Sequence, residues 1–198
     1  MMNHRLLSAV LLFAGLAVCP AGAEPVGWSI EPETVDPRYA VVEPAETNLN
    51  ISAIVLSCEQ TNGARLLQLQ LYLTDDGPLR AKATSAGRPK VEPRAELLID
   101  GHAFPVSLMF ADTYAVVADD HDGPYPKLSD HLVAALQSGE TMTLHLDLLA
   151  EPSGEPAAFD GAAVVPLSGS GGHRAIAAMR RCAGPTNLTG SGLAQLGH

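Results

Sequence analysis

The sequence has few basic residues. Lysine and arginine number 12 against 22 aspartates and glutamates among 198 residues, so the formal net charge is −10. Proteins that bind nucleic acid or an anionic membrane need a basic patch to neutralise phosphates. The shortage of positive charge therefore argues against both of these partners. The partner that an acidic surface would complement is a basic protein.

The sequence also lacks apolar runs long enough to cross a bilayer, which takes about 20 residues in a helix. The run from Leu6 to Val18 is shorter, and nothing after it is long or apolar enough. It follows the basic Arg5 and precedes the small residues Ala21-Gly22-Ala23, which suit a cleavage site. We therefore predict that residues 1–23 are a secretory signal peptide and that no segment spans a membrane.

Removing this peptide leaves a chain long enough for one hydrophobic core. We expect residues 24–184 to form a single β-rich domain in the periplasm or outside the cell, and residues 185–198 to be a mobile tail. A lipid-anchored form would use Cys19, but Val18 before it is β-branched, whereas lipoprotein signals carry a small residue there.

Cysteine is scarce, with three in the chain, of which Cys58 and Cys182 follow the predicted signal peptide. Two cysteines in an exported protein most simply pair with each other, so we predict a disulfide between them. The alternative is two buried thiols. A metal site would have too few ligands nearby.

Alternating apolar and polar residues dominate the rest of the sequence. The stretch NLNISAIVLSCEQ, residues 48–60, is apolar on both faces and predicts a central strand. The stretch RLLQLQLYLT, residues 65–74, alternates leucine with polar residues and predicts a half-buried strand. A short glycine-containing turn joins them, which favours an antiparallel hairpin.

Further strands and two helices are predicted around this hairpin. Asp100-Gly101 is typical of a two-residue hairpin turn, and strands are expected at 114–118, 141–149 and about 159–167. Residues 31–47, with three prolines, predict an extended approach with turns. Residues 75–95 predict a surface connection, with or without a short edge strand.

Ser129 is a suitable cap for a first helix that ends at about Ser138. In a second helix, Ile176, Met179 and Cys182 recur at intervals of three and share one face. That face would turn Cys182 towards the sheet that contains Cys58. The whole pattern predicts an α+β fold, mainly β: an antiparallel β-sandwich or flattened barrel of about seven to nine strands with two short covering helices.

Familiar catalytic patterns are missing. No serine has the G-x-S-x-G setting, no pair of histidines has metal-binding spacing, and the glycines at 168–172 lack the rest of a phosphate-binding motif. The stretch DDHDG, residues 119–123, could bind a cation weakly but lacks the essential carboxylates of a calcium loop. In the predicted strand 141–149, His145 and Asp147 are expected to face outward, away from the core. Asp147 and Asp160 lie near the ends of neighbouring predicted strands, where they could meet. We therefore nominate no catalytic, cofactor-binding or metal-binding residue and expect no cofactor.

Residues 142–182 are predicted to form, in order, a strand, an acidic loop, a second strand and a helix that begins after glycines and ends in a cysteine. This layout resembles small exported proteobacterial proteins of uncharacterised function and is similar to the end of the invasion-associated locus B type. The resemblance implies a periplasmic or secreted β-sandwich.

The sequence favours a non-enzymatic periplasmic binding or accessory module, of which an inhibitor of a basic secreted enzyme is the specific version. The alternative is a hydrolase that acts on envelope material through an unrecognised carboxylate pair.

Overall fold

A computed structural model describes residues 27–184 apart from residues 33, 62, 76, 81–88 and 150–158. The predicted signal peptide and the predicted tail therefore lie outside the described residues. The described strands are β1 (Ser29–Ile30), β2 (Tyr39–Val42), β3 (Glu46–Thr47), β4 (Ile51–Thr61), β5 (Ala64–Leu73), β6 (Pro89–Ile99), β7 (His102–Phe110), β8 (Tyr114–Ala118), β9 (Thr141–Leu149) and β10 (Gly161–Pro166). The helices are α1 (Asp130–Ser138) and α2 (Gly172–Ala183).

The strands form one antiparallel sheet that curls into a half-barrel, in the order β1-β2-β4-β5-β8-β7-β6-β9-β10-β3. This confirms the predicted fold class, α+β and mainly β with two short helices. The sheet has ten strands, more than the seven to nine expected. The additional ones are β1, β2 and β3, because the proline-containing segment before β4 pairs with both ends of the sheet.

The core lies on one face of the sheet, where the alternating apolar residues meet the helices. Leu67, Leu69 and Leu71 of β5 point into it, as the alternation predicts, and so do Ile54 and Leu56 of β4. Helix α2 packs against β2, β4 and β5 on this face. Helix α2 therefore covers the core side of these three strands.

A disulfide between Cys58 and Cys182 joins β4 to α2, and its two Cα atoms are 6.2 Å apart. The predicted pairing is thus confirmed. The Nη1 atom of Arg65 donates a hydrogen bond to the Cys182 carbonyl oxygen at 3.2 Å, so the hairpin also holds the end of the helix.

Helix α1 begins and ends where the sequence predicts. The Oγ atom of Ser129 accepts a hydrogen bond from the Leu132 N–H at 3.1 Å, which satisfies one of the free donors at the start of the helix. Leu132, Val133 and Leu136 are buried against the core. Neither α1 nor α2 is long and apolar enough to cross a membrane.

The two-residue turn between β6 and β7 forms at Asp100-Gly101, as predicted. Its φ angles are 48° and 86°, and this left-handed pair matches the twist of a tight hairpin. The Asp100 carboxylate accepts hydrogen bonds from the backbone N–H groups of Glu140 at 2.9 Å and Thr141 at 3.0 Å. The turn therefore holds the start of β9 as well as joining two strands.

Asp100→Asn is expected to lower the melting temperature at neutral pH but not in strong acid. The N–H groups of Glu140 and then Thr141 favour the charged carboxylate and lower the pKa of Asp100 below its ordinary value of 3.8. Because the folded pKa is lowered, this stabilisation is complete above the ordinary pKa and is lost as the pH falls through the lowered value. Melting curves of both proteins from neutral to acidic pH measure the difference, and a difference that does not change with pH would contradict this origin.

Two expectations from the sequence are wrong in detail. The region 75–95 is not only a surface connection, because β6 begins at Pro89 and lies between β7 and β9 rather than at an edge.

Asp147 was expected to face outward into solvent, but its side chain is 1% exposed. The Nε atom of Arg94 lies 3.5 Å from its Oδ2 atom, and the same guanidinium covers the Phe159 ring at 4.3 Å. Long-range packing, which alternation does not encode, covers this carboxylate.

Candidate functional site

An open groove of about 750 Å³ lies along β2, β4 and β5. Its lining includes Asp36, Tyr39, Ser57, Glu59, Gln70 and Tyr72. We call it the tyrosine groove. These side chains come from the N-terminal connection and from three neighbouring strands, so only the folded sheet brings them together.

The pleat of the strands places these side chains on the face opposite the core. In β4, Ile54 and Leu56 are buried in the core, so Val55 and Ser57 point to the other face. Tyr39 of β2 lies directly opposite Ser57, and Gln70 of β5 lies directly opposite Val55. The floor of the groove is therefore a row of paired side chains across three strands.

Tyrosine rings stand at the two ends of this floor. Tyr39 and Tyr72 are each 39% exposed, so part of each ring is open to the groove. Tyr72 also stacks on Tyr114 of β8, with ring centroids 5.6 Å apart and planes inclined by 22°. The stack holds the Tyr72 ring in place and leaves part of its surface to solvent.

Amide and carboxylate groups occupy the space between the rings. The buried Gln70 donates through Nε2 to the Glu59 Oε1 atom at 3.2 Å and to the Gln68 Oε1 atom at 3.3 Å. Gln68 in turn donates to the Pro126 carbonyl oxygen at 2.8 Å. This network fixes the orientation of these polar groups in the groove.

Charges in the groove balance. The charged side chains that line it are Asp36, Arg38, Glu59 and Arg65. An Asp36 oxygen lies 3.8 Å from the Arg65 Nη1 atom, but both side chains are well exposed, so this pair contributes little to stability. The groove is thus neutral overall, in contrast to the acidic chain.

Ser57 carries an unpaired hydroxyl group. Its side chain is 6% exposed, and among the residues that the structure describes its Oγ is the only buried side-chain oxygen or nitrogen without a hydrogen-bond partner. Leaving a buried polar group unpaired costs about 1–3 kcal/mol. Because Ser57 lines the groove, the described residues leave the hydrogen-bonding capacity of this hydroxyl unused there.

A second groove of about 850 Å³ lies between the tip of the β4–β5 hairpin and the end of α2. Several of its charged groups already have partners: Lys127 lies 3.2 Å from Asp120, and Arg180 donates to Gln137 at 2.9 Å. It offers a ligand no unpaired buried group among the described residues. We therefore take the tyrosine groove as the candidate site.

Two carboxylates of the stretch DDHDG accept hydrogen bonds that hold this stretch in the fold. Asp119 accepts hydrogen bonds from the backbone N–H and the hydroxyl of Ser129, at 2.7 and 2.5 Å, and Asp120 accepts one from the Asp122 N–H at 2.8 Å. In the described part of the chain, no three histidine, cysteine or acidic side chains are grouped as a metal site would require. Asp119 and Asp120 thus hold the connection between β8 and α1 through hydrogen bonds within the chain.

Asp147 and Asp160 are likewise engaged in structural contacts. Asp147 is buried against Arg94, and Asp160 accepts a hydrogen bond through Oδ1 from the Leu148 N–H at 3.0 Å. His145, on the same face, contacts Glu96 at 3.2 Å and packs on Phe159. This cluster holds β6, β9 and the start of β10 together.

Comparison with known proteins gives no assignment: no family model matches the chain, and no curated protein or solved structure matches it. The resemblance of residues 142–182 to exported β-sandwich proteins therefore stays a prediction.

The sequence pattern does not predict the tyrosine groove. The one available signal was the polar side of β5, where Gln68, Gln70 and Tyr72 alternate with leucines. That pattern is also what an ordinary solvent-facing strand shows. Only the pairing of β5 with β4, and of β4 with β2, turns it into part of a lined groove.

Proposed function

We propose that the protein is an exported, non-enzymatic binding module and that the tyrosine groove is its ligand site. The observation that carries the proposal is the buried, unpaired hydroxyl of Ser57 at the groove floor. The exposed rings of Tyr39 and Tyr72 add apolar contact area on either side of it. Ligand sites commonly combine such aromatic surfaces with a few polar groups held in fixed positions.

Export is supported by the features of residues 1–23 and by the disulfide. A disulfide persists in oxidising compartments and is rare in the cytosol. The bond between Cys58 and Cys182 therefore agrees with a periplasmic or secreted protein.

The alternative, a hydrolase that uses a carboxylate pair, has less support. Its candidate acids, Asp147 and Asp160, hold strands together through Arg94 and the Leu148 N–H. A catalytic pair needs carboxyl groups that converge on a substrate. In the tyrosine groove, the Glu59 carboxylate accepts a hydrogen bond from Gln70.

Retention of cell-envelope material tests the proposal. The wild-type protein is immobilised and incubated with the periplasmic and envelope fractions of the producing organism. A groove variant, Tyr39→Ser with Tyr72→Ser, is compared with a control variant, Met109→Ser with Phe110→Ser, which removes exposed apolar side chains of β7 outside the groove lining. We expect the wild type and the control to retain a common component and the groove variant to retain at least about tenfold less, because loss of about 1.4 kcal/mol already gives that factor.

The same assay separates the groove from an acidic surface that binds a basic enzyme. Electrostatic attraction between a basic partner and acidic residues weakens as salt screens it. Retention that persists in high salt and requires the tyrosines supports the groove. Retention that disappears in high salt and is unchanged in the tyrosine variant would overturn the groove as the ligand site, in favour of a basic partner. If no component is retained at all, binding of envelope material is overturned.

A further inference from the structure

At Tyr39, Ser57, Gln70 and Tyr72, the strands β2, β4 and β5 are hydrogen-bonded on both sides, so the tyrosine groove presents side chains rather than free backbone groups. β2 pairs with β1 and β4, β4 with β2 and β5, and β5 with β4 and β8. An extended peptide that binds by adding a strand needs an unpaired edge to supply its backbone hydrogen bonds. The groove offers the face of the sheet instead, so the ligand must match aromatic rings, amides and a hydroxyl group.

The balance of charge narrows the class of ligand. The two acidic and two basic side chains in the lining cancel, and Asp36 already lies beside Arg65. A polyanion such as nucleic acid needs an excess of basic groups, and a basic segment needs an excess of acidic ones. Neither excess is present, so a neutral polar ligand fits best.

The chemistry of the lining then favours a carbohydrate. A sugar ring has C–H groups on its faces and hydroxyl groups around its rim. The faces can pack on the partly exposed rings of Tyr39 and Tyr72, which are apolar on their surfaces. The rim hydroxyls can donate and accept hydrogen bonds with Gln70, Glu59 and the unpaired Oγ of Ser57.

The spacing of the rings favours a chain of sugars over a single one. Tyr39 lies opposite Ser57 and Tyr72 lies opposite Ala53, so the two tyrosines are separated by two strand spacings across the sheet and four residues along it. At about 4.8 Å per strand and 3.3 Å per residue, this diagonal is about 16 Å. A single sugar ring is much shorter than this distance between the two backbone positions, so a chain of linked sugars fits contact with both tyrosines better than one sugar does.

We infer that the ligand of the tyrosine groove is a neutral oligosaccharide chain that packs on Tyr39 and Tyr72 and hydrogen-bonds to Ser57. The inference rests on the proposed binding function and adds the chemical class of the ligand. Ser57 is a contact residue in this arrangement, since its hydroxyl gains a partner when the ligand binds.

The first test identifies the retained material. Envelope material is digested with proteinase K, passed through anion and cation exchangers, and offered to the immobilised wild-type protein and to the Tyr39→Ser, Tyr72→Ser variant. We expect the neutral, protease-resistant fraction to be retained by the wild type only and to release monosaccharides on acid hydrolysis. Retained material that proteinase K destroys, that stays on an ion exchanger or that contains no sugar would overturn the inference. In that case tyrosine-dependent retention of the undigested material would still uphold the binding function.

The second test uses Ser57→Ala, which separates binding from folding. Removing an unpaired buried hydroxyl should leave the melting temperature unchanged or raise it. Retention of the neutral fraction should fall about threefold to tenfold, as expected for the loss of one hydrogen bond. Ser138→Ala is the control, because Ser138 is an exposed serine at the end of α1, outside the groove lining, and its hydroxyl bonds only to carbonyl groups of its own helix. Equal retention by both alanine variants and the wild type would contradict the role of Ser57.

Discussion

Replacing Cys58 and Cys182 together by alanine is expected to lower the free energy of unfolding by up to about 5 kcal/mol. The disulfide closes a loop of 124 positions, and the chain-entropy model gives this value as an upper figure for a loop of that length. The stability of a domain is about 5–15 kcal/mol. Loss of this one bond therefore removes a large part of the stability, and it does so although α2 keeps its packing through Ile176 and Met179.

Urea unfolding curves of the wild type and the double variant measure this difference. A reductant is the matched control: it should move the wild-type midpoint to that of the variant and leave the variant unchanged. Equal midpoints for the oxidised wild type and the variant would show that the bond does not constrain the unfolded chain of this protein. Because the α2 end of the bond also lines the tyrosine groove, the ligand assay on the variant shows whether the groove needs the bond as well.

Gly172→Ala is expected to destabilise the protein by about 2 kcal/mol, as is typical of an added methyl group in a packed site. Helix propensity alone predicts the opposite, a gain of about 1 kcal/mol. The added Cβ would lie against the Leu167 carbonyl oxygen and only 2.8 and 2.9 Å from two atoms of the Trp28 indole. The indole cannot move away freely, because its Nε1 donates to the Pro166 carbonyl oxygen at 3.0 Å and the Trp28 N–H donates to Ser170 at 2.8 Å.

The sign of the change in the free energy of unfolding shows whether steric overlap or helix propensity dominates in Gly172→Ala. Arg174→Ala, at an exposed position of the same helix, is the control and should change the free energy of unfolding by no more than about 0.5 kcal/mol. Urea unfolding of the three proteins gives the comparison. A more stable Gly172→Ala variant would mean that Trp28 and the β10–α2 connection adjust without cost.

The features that were predictable are those that local pattern and chemistry determine. The alternation in β5 identifies its buried leucines, the Ser129 cap locates α1, and Asp100-Gly101 marks its turn. The pairing of Cys58 with Cys182 follows from having two cysteines after the predicted signal peptide and a helix face that turns the second one inward. Each of these inferences needs only a few neighbouring residues, or one simple count.

The tertiary structure alone decided which elements lie side by side. Alternation shows which side chains share one face of a strand, but it does not identify the neighbouring strand or its register. Tyr39 therefore could not be placed beside Ser57, nor Phe159 over Arg94, until the strands were paired. The sequence by itself determined a β-rich, disulfide-bonded domain with two helices; the tyrosine groove and the burial of Asp147 depend on contacts between residues far apart in the chain, and those only the folded sheet provides.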